Sequence, residues 1–566
     1  MKYYDFIFFY TSYDTDSYLP FFVKILKDQA KAFKPKDSKQ TQYKWGVYEE
    51  ISSDSAKKKS LHFVIQSDDA QAVLAFADSL NIHLPLSLSF AFSELKVLFD
   101  LQTLKPCKIK PFTPKTHYCT PNEIKAFLGE QSFGKVSVFS YAKKLQNVRN
   151  LGVFVKQIFE KLQNNKTNTP ILLQSARGLK ELSLEPFKEL NECIVCDISS
   201  LQTLFRIQNV ECELMASFEK PSMNLAPKAV FAKQFVLNKF GLVLCTLPYD
   251  CTLQLLSALM VQKEITHFFI RDYKNKKLSA QSVPNFHHSK QRQKIITASE
   301  NGLFIDTAID KDISLLELFK HNITQDCAKT LIFYMSSKYK SAILLRESHI
   351  PLGEKGSLKE VMNVRFECNI ARILQDIASN YESGEMLVQN FKQQVSLHCL
   401  KNLNPNQSVM SENVIHIFGI AALLFDMRDE TPNESNLLEI LSNASTSLIA
   451  NANEFVHQKG PRIDYHLLRE NNQLHLDYSR IFRSSMSFKC AGMENAILAY
   501  GFIDSFCEFL ANMVRDMQIN YAFGENFGVL LCGDMFGHKI FFTRLLNFLP
   551  KNISLILPKD GFLDRL

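Results

Sequence analysis

A chain of 566 residues, at roughly 150 residues per domain, has room for three or four domains and is too long for a single core. Its 46% hydrophobic and 22% charged residues exclude a disordered, collagen-like or all-coiled-coil protein. The net charge of +7, from 65 Lys and Arg against 58 Asp and Glu, is too dilute over this length to mark a nucleic-acid binder, so no nucleic-acid partner is expected.

The opening MKYYDFIFFYTSYDTDSY interrupts its apolar letters with Asp5, Asp14 and Asp16, and no small-residue cleavage pattern follows, which argues against a signal peptide. No uninterrupted apolar run approaches the roughly 18 residues of a membrane span, so the expectation is a cytoplasmic protein with no membrane partner. Thirteen scattered cysteines, an odd number, favour reduced thiols over a disulfide scaffold.

The first hundred residues read as strand KYYDFIFFY, helix LPFFVKILKDQA, strand YKWGVYEEI, strand SLHFVIQS, helix DAQAVLAFADSL and strand LPLSLSFAFS. This β-α-β-β-α-β order predicts a ferredoxin-like α+β domain over residues 1–100, two helices on one face of a four-stranded antiparallel sheet. The connector with Lys31, Lys34, Pro35, Lys36, Lys39 and Lys44 reads as a solvated loop. Prolines at 106, 111, 114 and 121 mark a linker over 101–123.

Beyond it, an α/β domain is expected over 124–348. NEIKAFLG, VFVKQIFEKLQNN and LEPFKEL read as helical pieces and KVSVFSY, PILLQS and ECIVCDI as strands, followed by a buried strand, a turn at Pro248 and a helix in FGLVLCTLPYDCTLQLLSALMVQ. Cys193 and Cys196 form one C-x-x-C without a partner pair, and Cys107 and Cys119 are too far apart for a zinc knuckle, so no metal is assigned. His287 and His288, adjacent and among basic residues, read as loop decoration.

The remainder, 349–566, is richer in helix: GSLKEVMNVRFECNIARILQDIAS, NVIHIFGIAALLFDM, NESNLLEILSNASTSLIANANEFVHQ and AGMENAILAYGFIDSFCEFLANMVRDM. Asp426 and Asp429 have the spacing of a shared helical face, where a solvated acidic patch is the default and metal ligation the alternative. FGVLLC, GDMFG, HKIFFTRLLNFL and SLILP read as strand, glycine turn, helix and strand. That places Gly533, Asp534, Gly537 and His538 at the carboxyl end of a strand, where α/β proteins commonly bind ligands. The turn's N–H groups suit phosphate, but Asp534 brings negative charge unless it holds a metal, and an ordinary tight turn is the simpler reading. Cys532 is a strand-end thiol without an identifiable base. A Walker-type phosphate loop, H-E-x-x-H and a nucleophile elbow are all absent.

Several segments together resemble the hydrogenase maturation carbamoyltransferase (HypF) family, with whose order of acylphosphatase-like, YrdC-like and Kae1-like domains the order of elements here is compatible. Ser17, Tyr18, Leu19, Pro20, Phe21, Phe22 and Val23 resemble the acylphosphatase G-F-R-P-F-V, with Leu19 where the arginine would stand. Leucine supplies none of the five guanidinium donors. Phe218, Glu219, Lys220 and Pro221, with Leu247, Pro248, Tyr249 and Asp250, resemble the YrdC-like E-R-P and L-P-Y-T segments. HIFGIAALLFDM is similar to the Kae1-like G-R-L-F-D-A-V-A-A-L with Gly419 at the aspartate, residues 499–506 to A-A-R-F-H-N-T-L with Ile503 at the histidine, and CGDMFGH to S-G-G-V-F-Q-N. The paired zinc fingers, the T-S-G-N stretch and the H-x-x-x-H metal pair of the family are not recognisable.

The resemblance implies a YrdC-like α/β middle domain and a reduced Kae1-like domain of the actin/Hsp70-type ATPase fold. It also implies a role as an accessory factor in [NiFe]-hydrogenase maturation, catalytically degenerate, with the hydrogenase large subunit or other maturation proteins as partners. The alternatives are an active ATP-dependent carbamoyltransferase of the hydrogenase cyanide-ligand pathway, using ATP and a divalent metal near Asp534, His538 and Asp560, and an RNA-binding protein.

Overall fold

The computed structural model describes residues 2–10, 15–32, 44–50, 60–109, 124, 127–128, 148–164, 171–188, 192–273, 293–306, 319, 327–354, 356–362, 364–455, 459–470, 473–521 and 526–558. Two compact units contain them, the first built from 1–223, 228–236 and 244–294, the second from 224–227, 237–243 and 295–566.

The first unit begins with strand β1 (Lys2–Tyr10), helix α1 (Thr15–Ala32), β2 (Lys44–Glu50), β3 (Ser60–Ser67), α2 (Ala70–His83) and β4 (Phe90–Leu98), the expected order, and adds a short β5 (Leu104–Pro106). The strands are antiparallel in the order β4-β1-β3-β2-β5, so the ferredoxin-like plan gains a fifth edge strand. Alternation sends Tyr4, Phe6 and Phe8 of β1 and Leu61, Phe63 and Ile65 of β3 into one core with Phe22 and Phe76 from the helices. Phe6 meets Phe76 edge to face at 5.4 Å, and Phe22 stacks on Phe90 at 4.5 Å. Asp69 caps α2, its side chain accepting from the Ala72 N–H at 3.0 Å.

Further along the chain lie α3 (Val148–Gln163), β6 (Ile171–Ser175), β7 (Gly178–Ser183), β8 (Glu192–Val195), α4 (Ile198–Leu204), α5 (Asn209–Ala216), β9 (Ser222–Leu225), β10 (Val243–Thr246), α6 (Cys251–Gln262) and β11 (His267–Asp272). Strands run β9-β10-β8-β11-β7-β6, with β8 and β10 parallel. α3 and α6 share an apolar core with β6, β7, β8 and β11. LEPFKEL is not helical where described. Pro186 interrupts a segment only seven residues long, and Phe187 is instead buried beneath the Arg271 guanidinium at 4.3 Å.

In the second unit, β12 (Ile295–Ser299) and β13 (Gly302–Asp306) form a hairpin, and β14 (Lys329–Tyr334), β15 (Ala342–Glu347) and β16 (Leu358–Met362) form an antiparallel meander. Residue 348 therefore lies inside a continuous run of paired strands. Next come β17 (Phe366–Glu367), α7 (Ile370–Asn380), α8 (Gly384–Gln394), β18 (Met410–Ser411), α9 (Ile415–Leu424), α10 (Leu437–Glu454), β19 (Leu467–Glu470), β20 (Gln473–Leu476), α11 (Tyr478–Cys490), α12 (Asn495–Tyr521), β21 (Phe527–Cys532), α13 (Lys539–Phe548) and β22 (Ser554–Ile556). The main sheet runs β16-β15-β14-β21-β22, with β14, β21 and β22 parallel.

Two expectations change here. GSLKEVMNVRFECNIARILQDIAS is strand in its first half and becomes helix only after Asn369, whose side chain accepts from the Ala371 and Arg372 N–H groups and caps α7. Asp426 and Asp429 share no helical face, because α9 ends at Leu424 and Asp426 takes the left-handed φ of +53°. Residues 495–520 are long and apolar enough to cross a bilayer by composition, yet they are largely buried in the core of this unit, which explains an apolar surface on much of the helix.

Candidate functional site

Within the first unit the polar residues around Lys220 and Tyr249 form one buried network. β6 ends in Ser175 and turns through Arg177 into β7; α5 ends just before Phe218, Glu219 and Lys220; and β10 runs through Pro248 and Tyr249 into α6. Asp250 caps α6 by accepting from the Leu253 N–H at 2.9 Å, and its other oxygen accepts from the Ala176 N–H at 2.8 Å, tying the two turns together. Tyr249 is fully buried and donates to Ser175 Oγ at 3.1 Å. The Arg177 guanidinium lies 3.9 Å over the Tyr249 ring, 3.6 Å from the Glu192 carboxylate, and donates to the carbonyls of Glu219 and Lys220. Glu192 also accepts from Ser222 Oγ and, at 2.8 Å, from Gln293 Nε2.

Lys220 does not face an open cleft. At φ +46° its chain turns back, and its ammonium donates to the carbonyls of Ala216 and Ser217 at the end of α5. Burial lowers its pKa to about 8. The preceding carboxylate is used as well: Glu219 accepts from Ser87 Oγ at 2.6 Å and from the N–H groups of Leu88 and Ser89 at 3.0 and 3.1 Å, in the turn leading to β4. Phe218 stacks on Phe21 at 4.6 Å. The YrdC-like segment thus fastens the ferredoxin-like module to the rest of its unit. Pro221 and Pro248 are buried, and the Lys220 and Pro221 carbonyls accept from Thr246 Oγ1.

The second candidate lies at the carboxyl ends of β14 and β21, which are neighbours in the sheet of the second unit. Both Asp534 oxygens are engaged by Ser337, one by its N–H at 2.6 Å and the other by its hydroxyl. Three N–H groups of the turn, those of Met535, Phe536 and His538, donate to the carbonyls of Met335, Gly533 and Met535. Gly533 has φ +120°, and a Cβ there would stand 1.9 Å from the Met335 carbonyl oxygen, so glycine is required for the two strand ends to meet. The Gly537 carbonyl accepts from Thr297 Oγ1 at 2.7 Å. His538 is half-buried with its ring 4.4 Å from Phe240, edge to face, and the desolvation of the imidazole lowers its pKa to about 4, leaving it neutral at pH 7.

This turn is a poor match for ATP with a divalent metal. The carboxylate that would face a cation already accepts two hydrogen bonds, and the donors that would cradle phosphate serve protein carbonyls. Among the described residues, no group of three or more His, Cys, Asp or Glu side chains could hold a metal ion. Asp560, Cys119, His287 and His288 lie outside the described residues.

The remaining sequence candidates pack as core. Cys532 is fully buried, its thiol donating to the Phe333 carbonyl at 3.5 Å, and burial pushes its pKa well up. Cys193 and Cys196 are buried, and burial raises Cys196 to about 12. Leu19 packs against the first module's aromatic core, and Ile503 lies inside that of the second unit. Gly419, at the aspartate position, lets α9 approach α10, since a Cβ there would fall 2.1 Å from the Leu441 carbonyl oxygen.

Sequence reasoning missed one polar row. On the sheet face opposite the helices, His62 Nδ1 lies 2.7 Å from Asp5 Oδ2 and His62 Nε2 lies 3.0 Å from Ser60 Oγ. With Nδ1–H donating to the carboxylate, Nε2 accepts from Ser60. Asp5 and His62 are both buried, and Asp5 Oδ1 has no hydrogen-bond partner among the described residues. The signal was Asp5 and His62 as lone polar letters in two apolar strands.

No family model matches the chain. It is 28% identical over 553 residues to Protein HydE of Wolinella succinogenes, an alignment that covers 91% of this chain and 96% of that protein. A full-length HypF crystallised in a phosphate- and nucleotide-bound form has the same fold, with TM-score 0.54 and 12% identity over 99% of this chain and 96% of its own. HypF from T. kodakarensis matches equally, with TM-score 0.54, 9% identity and the same coverage.

Proposed function

Because the chain is a HypF-like homologue of HydE along nearly its whole length, we propose that it is an accessory factor of [NiFe]-hydrogenase maturation. It acts by holding the hydrogenase large subunit or other maturation proteins, in the cytoplasm, and does not itself complete carbamoyl transfer.

One observation carries this reading: the frame is kept while the polar positions of the enzyme-like motifs are turned to structural use. Leu19 and Ile503 are packing residues, Gly419 makes room for a helix, Lys220 caps α5, and Asp534 joins two strand ends. Packing positions are constrained by volume, whereas reactive groups drift once chemistry is given up. Deletion of the gene is expected to abolish hydrogenase activity and to leave the large subunit unprocessed, and tagged chain is expected to retain that subunit or another maturation protein from a native extract. Normal activity and processing in the deletion strain would overturn the proposal.

The alternative is an ATP-dependent carbamoyltransferase centred on Asp534. It requires Asp534 to leave Ser337 when a metal arrives. Calorimetry with ATP and magnesium separates the two readings: heat that disappears in Asp534→Ala favours the transferase, and none at millimolar ligand favours the scaffold.

A further inference from the structure

β4 is the outermost strand of the ferredoxin-like sheet, and among the described residues no strand pairs with its outer edge. It is nine residues long, within the usual range for a paired strand, and an open edge of this length presents a row of unused backbone donors and acceptors. Natural edges are generally blunted by proline, by brevity, by charged side chains or by bulges; β4 has no proline and is not short, its Lys96 is paired with Glu94 2.7 Å away on the same strand, and its one bulge, at Ser93, leaves residues 94–98 in regular register. Beside the edge, large apolar side chains stand in solvent: Phe92 is 53% exposed, Val97 48% and Phe99, just beyond the strand, 85%. The strand is also held in place at its start, since Glu219 fixes the turn at 87–89.

The order of charges selects the occupant. In an antiparallel pair of identical strands related by a two-fold axis at Leu95, residue 94 of one copy lies opposite residue 96 of the other, and 93 opposite 97. Glu94 then meets Lys96 of the second copy twice, once on each side of the axis, with Leu95 opposite Leu95. A parallel pair in register would set Glu94 against Glu94 and Lys96 against Lys96, which is repulsive. The register of β4 on β1 shifts between Ile7 and Phe8, placing the irregularity at Ser93, outside the central three residues. In that register Phe92 stands opposite Leu98 of the second copy, Val97 opposite Ser93 and Phe99 opposite Ala91.

We infer that the chain forms a homodimer through antiparallel pairing of two β4 edges about Leu95, with Glu94 and Lys96 of each copy exchanging their intrastrand ion pair for two interchain ones. An isologous contact of this kind closes on itself and leaves no further edge on this side of the sheet.

The test is charge reversal in the full chain, read by sedimentation velocity over the micromolar range, with circular dichroism and Trp45 fluorescence confirming the fold of each variant. Wild type is expected to sediment as a dimer that weakens as salt rises. K96E alone and E94K alone each set like charges across the axis and are expected to raise the dissociation constant about tenfold. A one-to-one mixture of the two variants restores complementary pairs and is expected to give heterodimer with nearly wild-type affinity. This is a result that no change within one copy can produce. A wild-type chain that remains monomeric overturns the inference and leaves the edge to an extended segment of another protein; a dimer indifferent to both reversals, or a mixture no tighter than its parts, overturns it as well.

Discussion

Asp5 and His62 are the residues whose removal should cost most for their size. A buried carboxylate is tolerated because His62 donates to it, and its second oxygen already lacks a partner among the described residues. His62→Leu removes the one side-chain donor to Asp5 among the described residues and leaves the carboxylate unpaired in an apolar sheet, at a cost of about 3–5 kcal/mol. Replacing both residues with leucine removes the need for a partner, so the double variant is expected to be more stable than His62→Leu alone. The chain has one tryptophan, Trp45 on β2, stacked on Phe63 of the same strand as His62 at 5.8 Å. Its fluorescence during urea unfolding reports on this module, and an unchanged midpoint in His62→Leu would contradict the account.

At the scale of elements, the close contact of α9 and α10 turns on Gly419. Apart from His416, α9 is apolar all round, and it is buried at every position, as a central core helix should be; Gly419 is where its backbone meets the Leu441 carbonyl. Gly419→Ala should therefore cost about 1–3 kcal/mol by overpacking despite the higher helix propensity of alanine. Gly419→Asp, which introduces the aspartate of the HypF motif that this segment resembles, adds an unpaired buried charge and should fail to accumulate as folded protein, as judged by expression level and thermal melting. α9 itself was readable because an apolar run between turn signals leaves few choices, and the ferredoxin-like module was readable because period-two strands alternate there with period-3.6 helices. β16 was not. LKEVM has charged and apolar letters that suit a short helix as well as an edge strand, and only pairing with β15 decides between them. The candidate sites were legible as positions but not as roles. The sequence places Lys220 and Asp534 in enzyme-like motifs, whereas their partners, the Ala216 and Ser217 carbonyls and the Ser337 hydroxyl and N–H, are set by how helices end and strands adjoin.

Across the whole molecule, three histidines couple folding to pH in one direction. His267 in the first unit and His416 and His538 in the second have their pKa lowered to about 4, in each case by burial, against an ordinary value of 6.5. Between those values the unfolded chain takes up protons that the folded chain refuses. Stability is therefore complete above about pH 6.5, falls as pH drops through the window, and loses nothing further from these groups below pH 4. For His416, held neutral between Ser411 at 2.6 Å and Ser442 at 2.9 Å, the full difference is about 3 kcal/mol. His416→Gln retains a group able to bond both hydroxyls without titrating. The urea midpoint of the second unit, followed by loss of helical circular dichroism, should thus fall less between pH 7 and pH 4.5 in His416→Gln than in wild type. Equal losses in the two proteins would mean that His416 is protonated in the fold, and would place the acid sensitivity in other groups.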